Sequence, residues 1–286
     1  MTQPRLVYVN GSYVPEHEAQ ISVFDRGFLF ADAVYEVSTV LNGQLVDNDA
    51  HLLRLERSLR ELQMASPVPM ADIPAIQRHL IAENALIEGV VYLQVSRGAA
   101  DRDFGFPATA QPSLVVFTQS RAVLDTPAAK TGISVISIDD IRWKRRDIKT
   151  VNLLAPVLAK QQAKDAGADD AWMVEDGFVT EGSSNNAFII TKSGALVTRQ
   201  LGHEILHGIT RKAVLAVAQA EGLTVEERAF TLDEAYDAAE AFVTSASTFV
   251  MPVVKIDDRI MSNSAPGPLT LKLREKYIEF AKASLS

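Results

Sequence analysis

Apolar and polar positions along the chain alternate in two periods, which mark short strands and amphipathic helices. Residues 6–9 read as a strand, and Asn10-Gly11 behind them is a hairpin turn signal because both residues tolerate positive φ. Residues 33–41 are rich in β-branched side chains and stop at a second such turn, Asn42-Gly43, with 44–46 as the return strand. Leu52, Leu55, Leu59 and Leu62 fall on one face of a helix that Asn48 or Asp49 can cap. Pro74 suits the first turn of a second helix. Residues 90–96 and 113–118 read as strands around a loop, 97–112, that contains Gly98, Gly105 and Pro107.

Periodicity is lost from 118 to 132, where Asp125-Thr126-Pro127 looks like connecting chain. The expected organisation is a small α/β domain over 1–119, a linker over 120–130 and a larger domain over 131–286. The second part predicts a strand at 133–138 and a helix at 152–166 ended by Gly167. A hairpin follows at 171–175 and 178–180, and another at 186–191 and 195–198. A helix is expected at 210–221, capped by Thr210 and ended by Gly222. Thr231 and Glu234 have the capping-box spacing, 241–245 reads as a strand, and 268–283 as a closing helix. Strands and helices mix without strict alternation. The fold class is therefore α+β (mixed α/β) in two domains, not a parallel doubly wound sheet.

The chain has 286 residues, 47% of them hydrophobic and 22% charged, as expected of a globular protein. No apolar run approaches the length of a membrane span. The N-terminus shows no basic segment followed by an apolar stretch, so no signal peptide is expected. There is no cysteine, which excludes disulfides, thiol catalysis and cysteine-ligated metal. A cytoplasmic location fits. A net charge of −8 argues against a nucleic-acid partner. Basic residues gather in Arg142-Trp143-Lys144-Arg145-Arg146, leaving room for a small anionic ligand nearby.

His203 and His207 have i, i+4 spacing, but flanking Gly202 and Gly208 argue against a firm helix, so no metal site is expected. No serine-hydrolase elbow and no Gly-rich nucleotide fingerprint occur. Lys149 stands between an apolar strand region and an apolar helix. Partial desolvation, with Arg145 and Arg146 near, would favour its neutral form, and a neutral amine can form a Schiff base with an aldehyde. The alternative is a surface lysine that buries only its stem. Glu181 opens Glu181-Gly182-Ser183-Ser184-Asn185-Asn186, which reads either as a polar pocket wall or as a hairpin loop. Gly208-Ile209-Thr210-Arg211 is either a helix-terminal anion seat or a plain cap. The hydroxyl cluster Thr244-Ser245-Ala246-Ser247-Thr248 is open in the same way. Arg54 lies off the leucine stripe and, read alone, is a solvated arginine.

Taken in order, these segments resemble the fold-type IV pyridoxal-phosphate enzymes, in the D-amino acid aminotransferase group of the class IV aminotransferases. The resemblance rests on Asp25-Arg26-Gly27-Phe28-Leu29-Phe30-Ala31-Asp32-Ala33-Val34-Tyr35-Glu36-Val37, His51-Leu52-Leu53-Arg54-Leu55, Asp140-Ile141-Arg142-Trp143, Asp147-Ile148-Lys149, Thr180-Glu181-Gly182-Ser183-Ser184, Gly208-Ile209-Thr210-Arg211 and Phe242-Val243-Thr244-Ser245. It implies a two-domain homodimer with pyridoxal 5'-phosphate as cofactor, acting on a D-amino acid and a 2-oxo acid. Lys149 would carry the cofactor and move the substrate proton. Glu181 would pair with the ring nitrogen. Arg54, the amides of Ile209 and Thr210, and Ser245 with Ala246 would hold the phosphate. Leu206 would pack on a ring face, Ser184 would support the polar edge, and Tyr35 would lie near the cofactor 3-hydroxyl or the substrate. One departure stands out. Where D-amino acid aminotransferases carry Arg-x-His to grip the substrate carboxylate, this chain has Arg102-Asp103-Phe104. The resemblance therefore implies an altered carboxylate trap with tolerance for (R)-amines. An aminodeoxychorismate lyase, a branched-chain L-transaminase and a non-catalytic two-domain binding protein are the alternatives.

Overall fold

The computed structural model describes residues 4–286; positions 1–3, at the head of the expected first domain, lie outside them. The chain divides into two compact units. The first runs to Ala122 and also takes in Ile148–Asn152 and Ser284–Ser286; the second comprises Val123–Asp147 and Leu153–Ala283.

The first unit contains, in order, β1 (Leu6–Val9), β2 (Ser12–Pro15), α1 (Arg26–Phe30), β3 (Ala33–Leu41), β4 (Gln44–Leu45), α2 (Asn48–Glu61), α3 (Ile73–Glu83), β5 (Glu88–Ser96) and β6 (Ser113–Ser120). Its strands form one antiparallel sheet in the order β2-β1-β6-β5-β3-β4. Asn10 and Gly11, and Asn42 and Gly43, take the positive φ that their tight turns require. Leu55 and Leu59 are buried against Val34, Val40, Val91 and Leu93, with Leu52 and Leu62 at the margin, so the leucine stripe is the core face of α2. Asn48 is the first residue of α2, and Asp47 takes the cap position without a side-chain cap bond.

The second unit adds α4 (Pro127–Thr131), β7 (Ile133–Asp139), α5 (Leu154–Asp165), β8 (Asp170–Glu175), β9 (Phe178–Gly182), β10 (Asn186–Ile190), β11 (Leu196–Thr198), α6 (Ile209–Ala220), β12 (Val225–Glu227), α7 (Leu232–Asp237), β13 (Glu240–Ser245), β14 (Phe249–Ile256), β15 (Arg259–Ile260) and α8 (Pro268–Ala283). Its sheet runs β12-β11-β10-β13-β14-β7-β8-β9, with β15 paired to β14. Pairings of β7 with β8 and β14, and of β11 with β12, are parallel; the rest are antiparallel. Trp172, Phe230, Ile189 and Val243 lie in its core. The mixed α+β class is as expected.

Several local expectations change. Part of the expected linker is helical, because Thr126 accepts from the Ala129 amide and Pro127 opens α4. Residues 148–152 join the first unit, not the larger domain, because Thr150 bridges Val34, and Tyr35 and Val151 exchange backbone bonds with Lys149 and Ala33. Glu181 lies inside β9, not in a loop, and Gly208, not Thr210, caps α6. Strands β12, β14 and β15 escape sequence reading; β14 contains Pro252, which argues locally against a strand. The Thr231–Glu234 capping box is present with both of its bonds.

Candidate active site

In the first unit, neighbouring residues of β3 point to opposite faces of the sheet. Tyr35 meets Lys149, whose Nζ lies 4.1 Å from the Tyr35 ring centroid. The Tyr35 amide donates to the Lys149 carbonyl at 2.9 Å, which fixes the lysine backbone against the strand. The Tyr35 ring stacks on Tyr92, and Tyr92 stacks on Phe117, across β3, β5 and β6. Lys149 is half-buried.

On the other face Glu36 meets α2. Arg54 donates from Nε to Glu36 Oε1 at 2.7 Å and from Nη2 to Oε2 at 2.8 Å, and His51 Nδ1 lies 2.7 Å from the same Oε2. Arg54 is thus buried and held by a carboxylate, not solvated. Burial pushes the Glu36 carboxyl up, but Arg54 and His51 outweigh it and hold it down at about 2. Sequence reading missed Glu36 and His51, although both stand in the segments that carry the resemblance.

The loop between β5 and β6 is tied to α1. The Asp25↔Ala99 bridge joins them, and Arg26 Nη1 donates to the Asp103 carbonyl at 2.6 Å. Arg102 is exposed, and its guanidinium lies 5.3 Å from the Phe30 ring centroid and 5.5 Å from that of Phe104. Phe104 is 77% exposed.

In the second unit, Glu181 is the centre of a buried polar network. Its Oε1 accepts from Arg142 Nη1, its Oε2 from Asn186 Nδ2 at 2.8 Å, and both oxygens from the Leu206 amide at 3.1 Å. Arg142 is itself gripped by Asp140, which also accepts from Thr180. Burial pushes the Glu181 carboxyl up from the ordinary range; Arg142 and the Leu206 amide pull against this without cancelling it. Burial pulls Arg142 down, but Glu181 and Asp140 outweigh it and hold the guanidinium above its usual range. Arg142 therefore stays cationic while Glu181 is a more basic carboxylate than usual.

Asn186 joins this carboxylate to the start of α6. Its Nδ2 also donates to the Leu206 carbonyl at 3.0 Å, and its Oδ1 would lie 2.0 Å from any Cβ at position 208, so a side chain there would have to displace the Asn186 amide. Gly208 is followed by Ile209 and Thr210, the first residues of α6, whose amides have no intrahelical acceptor. Asn186 is also the register partner of Thr244. Beyond Thr244 comes the turn between β13 and β14, where Ser245 Oγ lies 2.7 Å from Thr248 Oγ1 and 3.3 Å from Ser247 Oγ. The Thr244 hydroxyl is buried with no hydrogen-bond partner. Ser184 is exposed, whereas its neighbours Ser183 and Asn185 donate to Asp170. Sequence reading assigned no role to Asn186 or Arg142.

A basic carboxylate, an apolar Leu206, a helix N-terminus and an orphaned hydroxyl beside a serine turn suit a flat, protonatable ring bearing a phosphate. The residues present fit pyridoxal 5'-phosphate. His203 and His207 lie ahead of α6 in irregular chain, and no group of three or more metal-ligating side chains occurs among the described residues. No helix among them is long and apolar enough to cross a membrane.

Fold and site together define an aminotransferase, and residues 33–256 match the family of class IV amino-transferases. The chain belongs to that family: it is a transaminase, and its cofactor is pyridoxal 5'-phosphate. It is 38% identical to the D-alanine aminotransferase of Bacillus licheniformis, over 92% of this chain and 93% of that protein. It is 37% identical to the D-alanine aminotransferase of Staphylococcus aureus (strain MSSA476), over 96% and 98%. Among solved structures, a T.th. branched-chain amino acid aminotransferase, complexed with N-(5'-phosphopyridoxyl)-L-glutamate, superposes with a TM-score of 0.90 at 25% identity, covering 100% of this chain and 99% of that one. The Escherichia coli branched-chain enzyme has the same fold, with a TM-score of 0.89 at 19% identity, over 99% and 96%.

Proposed function

We propose that this transaminase moves an amino group from a D-amino acid to a 2-oxo acid. The observation that carries the reading is the buried Glu181, made more basic by burial and joined through Leu206 and Asn186 to the start of α6. The likeness to two D-alanine aminotransferases over nearly the whole chain supports the D-side.

Pyridoxal 5'-phosphate, when bound, supplies an aldehyde and a ring that accepts electrons. Lys149 Nζ would hold the cofactor through its aldehyde and would carry the proton to and from the substrate Cα. Its place over Tyr35 restrains where that amine can reach. As the resemblance implies, Glu181 would hold the proton at the ring nitrogen and Leu206 would pack on a ring face. Arg54, the amides of Ile209 and Thr210, and Ser245 with Ala246 would hold the phosphate, and Ser184 would support the polar edge. Tyr35 would orient the substrate, and Arg102 would attract its carboxylate.

Phe104 stands where the Arg-x-His pattern has histidine, so one hydrogen bond to that carboxylate is missing. The Arg102 guanidinium lies against Phe30 and Phe104, which leaves an apolar rim beside the charge. That rim supports tolerance of primary (R)-amines, which bring no carboxylate. As the resemblance implies, the proposed assembly is a homodimer and the proposed location the cytoplasm.

The test is a set of spectral half-reactions of the yellow holoenzyme with D-alanine, L-leucine, L-glutamate and an (R)-arylalkylamine. Bleaching by D-alanine well ahead of both L-amino acids supports the reading, and preference for L-leucine overturns it. No response to the (R)-amine at any concentration removes the tolerance claim alone. Borohydride is expected to fix the cofactor on a peptide that contains Lys149.

A further inference from the structure

Helix α8 places a charge in the second unit that the reaction does not use. Thr270, Leu273, Arg274, Tyr277 and Ala281 form its buried face. Tyr277 packs edge-on against Phe249 at 4.9 Å, which brings α8 against the start of β14. Arg274 is buried there. Its Nη1 donates to the carbonyls of Thr248 at 2.9 Å and Val250 at 2.6 Å, and its Nη2 to those of Val123 at 3.1 Å and Leu124 at 2.9 Å. Every partner is a neutral carbonyl, and no carboxylate pairs with Arg274 among the described residues. Burial pushes its guanidinium down from the usual arginine range, with no countercharge to restore it.

A buried, unpaired charge is costly to a fold and calls for an opposite charge close by. Thr248 provides the connection. Its carbonyl is fixed by Arg274, and its hydroxyl lies 2.7 Å from Ser245 Oγ at the other end of the same turn. Ser245 and Ala246 belong to the phosphate seat in the function proposed above, and this inference rests on that reading. We propose that Arg274 is a positioning residue for the cofactor phosphate: it holds the turn between β13 and β14 in its anion-binding form, and the bound phosphate supplies its missing countercharge. The residue touches neither substrate nor reacting atoms. It acts through Thr248 and through the field of its charge.

The prediction separates charge from packing because the phosphate can be left off the ligand. Apoprotein is titrated with pyridoxal 5'-phosphate and with pyridoxal, and binding is read by fluorescence quenching, not by turnover. In R274Q the affinity for pyridoxal 5'-phosphate is expected to fall about tenfold, the scale of one unit charge acting in a protein-like dielectric. The affinity for pyridoxal is expected to stay within about threefold, since that ligand brings no such charge. R274K keeps the charge and is expected to retain the wild-type ratio of the two affinities. It also carries the test if R274Q does not fold. An equal loss for both ligands in R274Q, or a lowered ratio in R274K, overturns the proposal. Wild-type apoprotein that binds neither ligand would overturn the proposed function and this inference with it.

Discussion

At the scale of single residues, the adjacent positions Tyr35 and Glu36 on β3 serve different ends. Lys149, over Tyr35, has a chemical task in the proposed function. If Lys149 holds the cofactor and moves the Cα proton as proposed, K149A should lower transamination by on the order of 10³-fold or more. Steady-state rates with D-alanine check this, and unchanged turnover would end the assignment. Glu36, on the opposite face, has a stability task. Its carboxyl titrates near 2 in the folded protein against about 4.5 when unfolded, so the unfolded chain binds more protons in that interval. The stabilisation is fully present above about pH 4.5 and disappears as pH falls through about 2. Its size is on the order of 3 kcal/mol. Urea denaturation from pH 6 to pH 2.5 should show this slope in the wild type. E36Q should flatten it, and should cost roughly 3–5 kcal/mol at neutral pH by leaving Arg54 buried without its carboxylate.

At the scale of elements, the start of α6 and the start of α7 make a useful contrast. Gly208 leaves no room for a side chain beside Asn186. G208A should push Asn186 away from Glu181 and Leu206 and weaken cofactor affinity by roughly tenfold, the loss expected when hydrogen bonds to a charged group are broken. Thr231 caps α7 outside that network. T231A should lower stability by about 1 kcal/mol and leave cofactor affinity unchanged. Thermal unfolding of apoprotein and cofactor titration, run on both variants, distinguish the two. Most of these elements were legible in the sequence. The Asn-Gly turns, the leucine stripe of α2 and the bounds of β3 and α8 follow from short-range periodicity and turn chemistry. Strand β14 was not legible, because a proline inside it suppresses the local signal, while pairing with β7, β13 and β15 from elsewhere in the chain fixes it as a strand. The helical turn at Pro127 was hidden for a similar reason: one turn is too short to show a period.

At the scale of the whole molecule, the first unit leaves a group of aromatic side chains uncovered. Phe24 at 52%, Phe28 at 75% and Phe106 at 60% exposure lie just ahead of α1, on it, and on the loop tied to it, which also carries Phe104. Exposed aromatic side chains of this kind would form an interface patch in the proposed homodimer. The expected outcome is a homodimer in sedimentation equilibrium at micromolar concentration. F28E, which places a charge in that patch, should shift it toward monomer. A wild-type protein that sediments as a monomer would remove the dimer from the proposal.

The sequence by itself determined the mixed α+β class, most helices and hairpins, and the ordered segments that mark the family, because these depend on residues close together in the chain. It also singled out Lys149 and Glu181, though only the company of the other segments raised them above a surface lysine and a turn. Tertiary structure alone decided that Arg54 is buried against Glu36, that Glu181 sits within a strand and is made basic by burial, and that Asn186 spans from that carboxylate to α6. It alone revealed Arg274 among four carbonyls. Burial and partnership are set by what packs from distant parts of the chain, and no local pattern records them.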